Sequence, residues 1–340
     1  MIKTTVGLRP FRRSGPNLSV EPLGNKTLVH NYGHGGSGWS LSWGSSREAV
    51  DKALEAGRGD AVAVIGCGAL GMTSALLLQR AGKKVTIYTK DRHPNITSSV
   101  ATGVWSPDSR ICLSSAAPAG FGDWWEKTCR TSFKHYQNLL GLPGHPVEWV
   151  DTLAVFNRPP GEAREGDARA DTHEFAHYYD RVRDLTPMGV ELAPGDHPFS
   201  EKYAIQGTTM IYNIPAYAQY LLGEFTSLGG RIVVKEFHSP EEMKGLEEQM
   251  ILNCTGLGAQ TLFDDREMVP VRGQLSFLIP QEEVRYNFSN ETAYTIARRD
   301  GIIIGDMDNG RYDSTDLSVD PAQSDNSVDA IAASMAARLR

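Results

Sequence analysis

Hydrophobic positions along the chain fall into two kinds of segment, which alternate with glycine-rich turns. Short apolar runs with the length of buried strands occupy residues 61–65, 85–88, 231–234 and 250–253. Longer segments with helical spacing occupy residues 46–56, 70–81, 215–228 and 327–339. Gly57 and Gly82 follow two of these segments as stop signals. The alternation of strands with helices predicts an α/β protein containing a parallel sheet.

Further strands predict a second layer. Residues 3–10 and 26–32 have strand character, and Pro10 is expected to close the first of these strands. Residues 274–279, 293–297 and 301–305 are β-rich and favour a mixed sheet in a second domain. Residues 123–199 combine an aromatic-rich helix with irregular acidic loops, and residues 306–326 are polar and rich in turn formers.

Composition and charge narrow the class of protein. The chain has 340 residues, 40% of them hydrophobic, with a net charge of -7. This balance argues against nucleic acid or an anionic membrane as the main partner. No apolar run approaches the ~20 residues that span a bilayer, and the N-terminal residues lack the apolar core of a signal peptide, so we expect a cytoplasmic protein. None of the four cysteines forms a C-x-x-C pair, which predicts free buried thiols and no metal site.

A glycine turn supplies the first functional signal. Gly66, Gly68 and Gly71 have G-x-G-x-x-G spacing between a predicted strand and a predicted helix. Such a turn brings backbone amides and a helix N-terminus to a pyrophosphate. Lys90 and Asp91 follow the next strand, where one of them would contact a ribose, and the sequence leaves open which. The turn predicts dinucleotide binding without separating FAD from NAD.

Residues 29–38, Val-His-Asn-Tyr-Gly-His-Gly-Gly-Ser-Gly, supply the second signal. They resemble the flavin-binding signature of the D-amino acid oxidase family. Five further segments resemble the same family, at residues 6–10, 97–107, 253–256, 272–274 and 294–305. In that family the signature and the Gly-Leu-Arg-Pro segment of residues 7–10 come last, whereas here they precede the glycine turn. The resemblance therefore implies a circularly permuted chain, joined through the short link at residues 58–60.

The resemblance implies a fold, a cofactor and a reaction. A Rossmann-like FAD-binding domain would comprise residues 25–110 and 230–275, and a mixed β-sheet substrate domain would comprise residues 1–24, 111–229 and 276–340. Hydride would pass from the Cα of a D-amino acid to flavin N5, followed by hydrolysis of the imino acid and reoxidation by O₂ to hydrogen peroxide. An oxidase of glycine, sarcosine or another amine, and a catalytically silent FAD-binding protein, stay open as alternatives. A homodimer is open as well.

The resemblance also assigns residues to roles. Arg9 would bind the substrate carboxylate through two parallel hydrogen bonds, and Tyr294 would join it there. The carbonyl of Gly36 would accept the substrate amine, and His34 would shape the glycine turn rather than act as a base. The predicted cofactor contacts are Gly66, Gly68, Ala69, Leu70, Gly71, Lys90, Asp91, Ile96, Thr97, Ser98, Gly103, Val104, Trp105, Phe237, Thr255, Gly256, Gly35, Gly38, Trp39 and Ser40.

Several positions depart from the family pattern. Asn290 stands where the family has a lid tyrosine, and Tyr286 or Phe288 could replace that side chain. Ser106 replaces a polar pocket glutamine, and Asp306 replaces a glycine. These changes put the substrate in question more than the reaction. An acidic side chain of the substrate could pair with one of three arginines near the predicted pocket, namely Arg285, Arg298 or Arg299.

Overall fold

Two β-sheets organise the chain, as a computed structural model shows for residues 1–159, 174–307 and 310–337. The strands are β1 (Lys3–Arg12), β2 (Val20–Leu23), β3 (Lys26–His30), β4 (Ala61–Ile65), β5 (Lys84–Thr89), β6 (Val147–Phe156), β7 (Val190–Leu192), β8 (Tyr203–Tyr212), β9 (Arg231–Val234), β10 (Met250–Asn253), β11 (Met268–Leu278), β12 (Tyr286–Ser289), β13 (Ala293–Arg298), β14 (Gly301–Asp306) and β15 (Arg311–Tyr312). The helices are α1 (Gly38–Ala56), α2 (Ala69–Arg80), α3 (Phe121–Gln137), α4 (Ile214–Ser227), α5 (Pro240–Met243), α6 (Gly258–Leu262) and α7 (Pro321–Ala337). The predicted α/β class with a mixed second sheet is confirmed.

The smaller sheet has the order β2-β3-β10-β4-β5-β9. All of its neighbouring strands are parallel except the pair β2 and β3. The strands β4 and β5 flank α2, which gives the predicted strand, turn, helix and strand unit. Val62, Val64 and Leu252 are fully buried beneath α1 and α2, as expected for a sheet covered by helices.

The larger sheet has the order β1-β11-β14-β13-β12-β6-β8-β7, with β15 added beside β11. Its first strand is longer than predicted, because β1 pairs with β11 from Lys3 opposite Phe277 to Arg12 opposite Met268. Pro10 does not close the strand, because it lies directly opposite Pro270 near the edge of the sheet. Proline lacks only a donor, so an edge position tolerates it.

Further elements differ from the sequence prediction. Residues 123–199, predicted as an aromatic-rich helix with irregular acidic loops, contain β6, and β8 lies just beyond them. The two strands pair over ten residues, from Val147 opposite Tyr212 to Phe156 opposite Tyr203. The helix α7 begins at Pro321, six residues earlier than predicted, with proline in the first turn where its missing N–H costs nothing. The helix packs on β11, β13 and β14 and covers one face of the larger sheet.

The N-terminal segment contributes to both sheets. Its first strand, β1, belongs to the larger sheet, whereas β2, β3 and α1 belong to the smaller sheet and its helical layer. The sheets do not follow the predicted domain boundaries at two places, since β2 precedes residue 25 and β11 extends past residue 275. We therefore propose domain boundaries that follow the sheets, with β2 in the nucleotide-binding layer and β11 in the substrate layer.

Candidate active site

The glycine turn joins β4 to α2 and requires glycine at two of its positions. Gly66 has a φ of +106°, and a Cβ added there would lie 2.5 Å from the carbonyl oxygen of Cys254. A Cβ on Gly71 would strike the carbonyl group of Gly66, so glycine lets α2 pack closely on the turn. The turn therefore holds the N-terminus of α2, beginning at Ala69, against the end of the sheet.

A second helix begins beside the first. The predicted flavin signature leads into α1, which starts at Gly38 and packs against α2. The indole of Trp39 donates a hydrogen bond of 2.8 Å to the carbonyl of Ser98, and the amide of Ala69 donates one of 3.0 Å to the Ser98 hydroxyl. These contacts tie both helix starts to the segment after β5. First-turn amides lack intrahelical partners, so the two helix starts together favour an anionic group.

One cavity of about 1160 Å³ connects these helix starts to the larger sheet. Pockets for single small molecules have volumes of roughly 300–1,000 Å³, so this cavity has room for a cofactor and a substrate. Most predicted site residues line it, namely Arg9, Gly35, Gly36, Gly38, Trp39, Gly66, Gly68, Ala69, Leu70, Lys90, Asp91, Ile96, Thr97, Ser98, Val104, Phe237, Thr255, Gly256 and Tyr294.

Four predicted cofactor contacts, Gly71, Gly103, Trp105 and Ser40, lie behind the cavity wall. Gly71 packs under the glycine turn, as described above. Gly103 accepts a hydrogen bond of 2.7 Å from the amide of Tyr212, and Trp105 packs edge-to-face on an aromatic ring of α3. The Ser40 hydroxyl accepts the amide of Ser106 at 2.9 Å. These residues hold the wall in place instead of lining it.

The far end of the cavity lies where β5 and β9 finish. There the ammonium of Lys90 lies 3.4 Å from the carboxylate of Glu236. The ring of Phe237 is buried and contacts the ring of Tyr88 edge-to-face, with 6.0 Å between centroids. The hydroxyl of Thr89 donates to the carbonyl of Asp91. Both residues that the sequence offered for the ribose thus lie at this end, and Lys90 has an acidic partner.

The near end of the cavity is formed by Arg9 on β1. Its guanidinium lies over Gly273 of β11 and 3.0 Å from where a Cβ of Gly310 would be. Its Nη1 is buried without a hydrogen-bond partner in the described residues. Burial lowers the pKa of Arg9, and the nearby Tyr294 and Asp306 oppose that shift. Arginine stays protonated in proteins, so this end of the cavity carries a buried cation that lacks a full set of acceptors.

Tyr294 lies on the same face of the larger sheet as Arg9. It pairs with Gly305 of β14, and a Cβ on that glycine would clash with the Cζ and the hydroxyl of Tyr294. Burial raises the pKa of the Tyr294 phenol, whereas the positive charges of Arg9 and Arg110 lower it. The net shift is upward, so the phenol is protonated at neutral pH and can donate a hydrogen bond.

The flavin-signature turn follows β3 between these two ends. The imidazole of His34 is buried, and its Nε2 lies 2.7 Å from the Ser45 hydroxyl. Burial lowers the pKa of His34 to about 3. A group with so low a pKa takes up protons poorly, which supports the structural role over a catalytic base. The amides of Gly35 and Gly36 donate to the carbonyls of Pro10 and Ser109, each at 2.9 Å.

The three arginines considered for an acidic substrate do not line the cavity. Arg298 is buried, pairs with Asp300 and donates to the carbonyl of Ala101. Arg299 pairs with Glu148 at 2.6 Å, and the Arg285 guanidinium donates to the carbonyl of Glu282. These side chains support the fold, and a substrate does not reach them through the described cavity.

Of the two candidate replacements for the lid tyrosine, Phe288 contributes to the cavity wall and Tyr286 does not. Phe288 lies opposite Thr295, so its side chain projects to the other face of the sheet from Tyr294. Phe288 packs on Phe199, and the Tyr286 hydroxyl contacts Met335 of α7. Asn290 donates a hydrogen bond of 3.0 Å to the carbonyl of Ala330 in the same helix. None of the three side chains forms a lid.

One charged residue at the near end was not predicted. Arg110 lines the cavity and donates to the hydroxyl of Ser109 at 3.2 Å. Only its position shortly after the predicted wrap of residues 97–107 could have indicated it, because sequence does not give the direction of a side chain in an irregular segment.

Three further expectations concern the rest of the chain. The four cysteines are buried and free, as predicted. Within the described ranges, no group of His, Cys, Asp and Glu residues could hold a metal ion. Every helix in those ranges is too short or too polar to cross a bilayer.

A family model described as "DAO: FAD dependent oxidoreductase" matches residues 61–339. A D-amino acid oxidase of Dugesia ryukyuensis is 28% identical over 255 residues, which cover 72% of this chain and 68% of that protein. A D-amino-acid oxidase of Dictyostelium discoideum is 26% identical over 267 residues, which cover 77% of this chain and 68% of that protein. The crystal structure of glycine oxidase from Geobacillus kaustophilus has the same fold, with a TM-score of 0.56 and 14% identity over 81% of this chain and 78% of that one.

Proposed function

The chain belongs to the DAO family of FAD-dependent oxidoreductases, and from that premise we propose that it oxidises D-amino acids at the site formed by Arg9 and Tyr294. The products would be a 2-keto acid, ammonia and hydrogen peroxide. The observation that carries this proposal is the buried Nη1 of Arg9, which lacks a partner in the described residues and faces the cavity. A buried charged donor without an acceptor is costly, so a ligand carboxylate is the expected acceptor.

The residues of the cavity fit FAD. A Cβ on Gly38 or on Gly256 would meet no atom closer than 3.8 Å, so a side chain at either glycine would fill space that a cofactor needs. The starts of α1 and α2 present amides to the same cavity, which suits a pyrophosphate and an electron-rich flavin edge. When bound, FAD would supply the two-electron oxidation of the substrate, with O₂ as the final acceptor and hydrogen peroxide as a product.

The protein's own contribution is orientation. Arg9 would bind the substrate carboxylate with two parallel hydrogen bonds, and the protonated Tyr294 phenol would donate a third. The carbonyl of Gly36, which also lines the cavity, would accept an N–H of the neutral amine. Together these contacts would fix Cα, which lowers the entropic part of the barrier. The neutral His34, bonded to Ser45, stays a part of the scaffold in this scheme.

Two alternatives make different predictions. An amine oxidase of the glycine type is supported by the shared fold of the solved glycine oxidase, and such an enzyme would turn over glycine or sarcosine better than larger D-amino acids. A silent FAD-binding protein would need neither the Arg9 guanidinium nor the Tyr294 phenol at the cavity wall. A cytoplasmic location and a homodimeric state remain predictions.

The visible spectrum of the FAD-loaded protein tests the proposal. Anaerobic addition of D-amino acids should bleach the oxidised-flavin bands, and O₂ should restore them. Bleaching by glycine or sarcosine but by no larger D-amino acid would favour the first alternative, and no bleaching by any amine would favour the second. Arg9→Ala should lower kcat/KM by a factor that corresponds to at least ~3 kcal/mol of lost transition-state stabilisation, because it leaves a buried carboxylate unpaired. Arg285→Ala, at an exposed site outside the cavity wall, is the matched control.

A further inference from the structure

The cavity face of the larger sheet extends well beyond the proposed carboxylate site. Arg9 on β1 leans over Gly273, and Tyr294 on β13 leans over Gly305, so both side chains lie above the two strands between them. Past Tyr294 the sheet continues through β12, β6 and β8, and residues of these strands also line the cavity. The proposed substrate site therefore borders a second stretch of wall, on the other side of Tyr294 from Arg9.

This second stretch of wall offers hydrogen bonds but no charge. Among the described residues, no Lys, Arg, Asp or Glu of β6, β8 or β12 lines the cavity. Four polar side chains of these strands do line it, namely Thr152, Thr209, Asn287 and Ser289. The other lining residues of these strands are apolar. A polar group that binds there is therefore expected to be uncharged, because burial of an ion without a partner is costly.

The side-chain amide of Asn287 has a fixed orientation in this wall. Its Oδ1 accepts a hydrogen bond of 2.9 Å from the backbone amide of Ala297 on β13. A backbone amide only donates, so the accepting atom is the oxygen and the NH₂ group points the other way. Asn287 is 5% exposed, and its Nδ2 has no hydrogen-bond partner among the described residues. The cavity wall thus contains a buried pair of N–H donors that a ligand can satisfy.

Strand pairing places Asn287 beside the proposed substrate site. Ser289 lies directly opposite Tyr294, and Asn287 is two residues earlier on the same face of β12. Diagonal neighbours of this kind are about 7–8 Å apart, within the reach of a long side chain. Thr152 of β6 lies directly opposite Asn287. A group bound there meets N–H donors from Asn287 and a hydroxyl of Thr152 that can accept.

From this arrangement we infer that Asn287 determines the specificity for the substrate side chain, and that the preferred substrates are D-amino acids whose side chain ends in a carboxamide, such as D-glutamine. This inference rests on the proposed oxidase function. With the α-carboxylate on Arg9 and Tyr294, the side-chain carbonyl accepts an N–H of Asn287, and the side-chain NH₂ donates to Thr152. A hydrocarbon side chain leaves the Asn287 donors without an acceptor, and a site built around such donors rejects it.

The kinetic test compares D-glutamine with D-homoleucine, in which two methyl groups replace the oxygen and nitrogen of the carboxamide. Wild-type protein should have a kcat/KM for D-glutamine at least tenfold above that for D-homoleucine and for D-glutamate. Asn287→Leu removes the donors at nearly constant size, and it should lower the ratio of kcat/KM for D-glutamine to that for D-homoleucine at least tenfold.

A second variant tests the contact without disturbing the strand. Asn287→Asp keeps the oxygen that Ala297 binds and replaces the donor group with a carboxylate oxygen. It should raise kcat/KM at least tenfold for D-ornithine, whose side chain ends in a cation, and lower it for D-glutamine. A residue that only supported the strand would not change the preferred charge of the substrate. Asn326→Asp, at an exposed position of α7 outside the cavity wall, should match wild type, and melting temperatures establish that the variants are folded.

A binding measurement separates this inference from the oxidase function. The monoacid 4-carbamoylbutanoate has the carboxylate and carboxamide of glutamine without an oxidisable amine, and 5-methylhexanoate is its hydrocarbon counterpart. The first should perturb the visible spectrum of the FAD-loaded protein at concentrations at least tenfold below those of the second, and Asn287→Leu should remove the difference.

Equal binding of the two monoacids by wild type, or the same preference in Asn287→Leu, would overturn the inference. Oxidation of D-homoleucine as fast as D-glutamine would overturn it while leaving the oxidase function intact. The absence of turnover of every D-amino acid would count against the oxidase function, and the binding of the two monoacids would then decide the role of Asn287.

Discussion

The guanidinium of Arg9 occupies the space that a side chain on Gly273 would need. The two residues are on adjacent strands, β1 and β11, and Arg9 leans along the sheet from its partner Val271. A Cβ on Gly273 would lie 2.7 Å from the Cζ of Arg9. Gly305 of β14 is related in the same way to Tyr294 of the adjacent strand β13. The carboxylate site therefore depends on glycines in the sheet as well as on the two side chains that would touch the substrate.

Replacing Gly273 should impair catalysis, although Gly273 has no contact with the substrate in the proposed site. We expect Gly273→Ala to displace the Arg9 guanidinium and lower kcat/KM at least tenfold, or ~1.4 kcal/mol, with unchanged FAD content. Steady-state kinetics and the ratio of flavin to protein absorbance measure both. Gly223→Ala in α4 is the control, because an added Cβ there meets nothing within 4 Å. That variant should keep full activity and gain about 0.5–1 kcal/mol of stability, and wild-type kinetics for Gly273→Ala would contradict the proposed position of Arg9.

Tyr294 should act as a neutral hydrogen-bond donor. Tyr294→Phe should lower kcat/KM roughly tenfold, about 1.5 kcal/mol, since it removes one hydrogen bond to a carboxylate that Arg9 still holds. Burial raises the pKa of Tyr294 above its ordinary value near 10, so the phenol stays protonated through that pH. The pH profiles of kcat/KM for wild type and Tyr294→Phe should therefore have the same shape below pH 10. A limb near pH 9 that disappears in the variant would show that the tyrosine ionises there.

His34 should affect stability more than catalysis. Its pKa is lowered to about 3 in the folded protein, whereas an unfolded histidine has a pKa near 6.5, so the unfolded state binds the extra proton between these values. Stability from this group is complete above pH 6.5 and is lost as the pH falls toward 3. At pH 5 the loss should be about 2 kcal/mol relative to pH 7.

The variant His34→Gln isolates that effect. Glutamine keeps a partner for the Ser45 hydroxyl and cannot take up a proton, so the variant should lose about 2 kcal/mol less stability than wild type between pH 7 and pH 5. Urea denaturation at the two pH values measures this difference, and the other histidines cancel in the comparison. A fall in kcat of less than tenfold at pH 8 is expected as well. A far larger fall, with normal folding and FAD binding, would return His34 to a catalytic role.

Local sequence was sufficient for those parts of the site that are built from neighbouring residues. The turn at Gly66 and the start of α2 follow from glycine spacing between an apolar run and a helix, and the structure has both. Both depend on contacts within a single supersecondary unit, which spacing in the sequence can indicate. The position of Arg9 at the cavity was predicted instead from the family resemblance of residues 6–10, because its strand pairs with the distant β11.

Contacts between segments that are distant along the chain could not be predicted from the sequence. The strand β6 finds its partner β8 about fifty residues later, so a region with weak periodicity looked irregular. Arg298 and Arg299 looked available for a substrate because the carbonyl of Ala101 and the carboxylate of Glu148, which they contact, come from distant segments. Arg110 went unnoticed for the converse reason, since an irregular segment turns its side chain toward the cavity.

The order of elements along the chain leads to a last prediction. We propose that the chain is a circular permutation of the family order, because the family match begins at residue 61 while β1 and β3 lie within the first 60 residues. Those residues are integral to the fold. Leu28, Val29 and Leu41 are fully buried, and β1 pairs with β11 along its whole length.

Moving residues 1–60 behind residue 340 through a flexible linker should therefore preserve the protein. The rearrangement is feasible because β1 and α7 both belong to or pack on the larger sheet, so a flexible linker can run over the surface between them. With a linker of sufficient length, FAD affinity and kcat/KM should stay within threefold of the original chain. Residues 61–340 alone should fail to fold, since they lack β1, β3 and α1. If the rearranged protein fails at every linker length tested while the original chain binds FAD, the two orders are not interchangeable, and the permutation proposal must be given up.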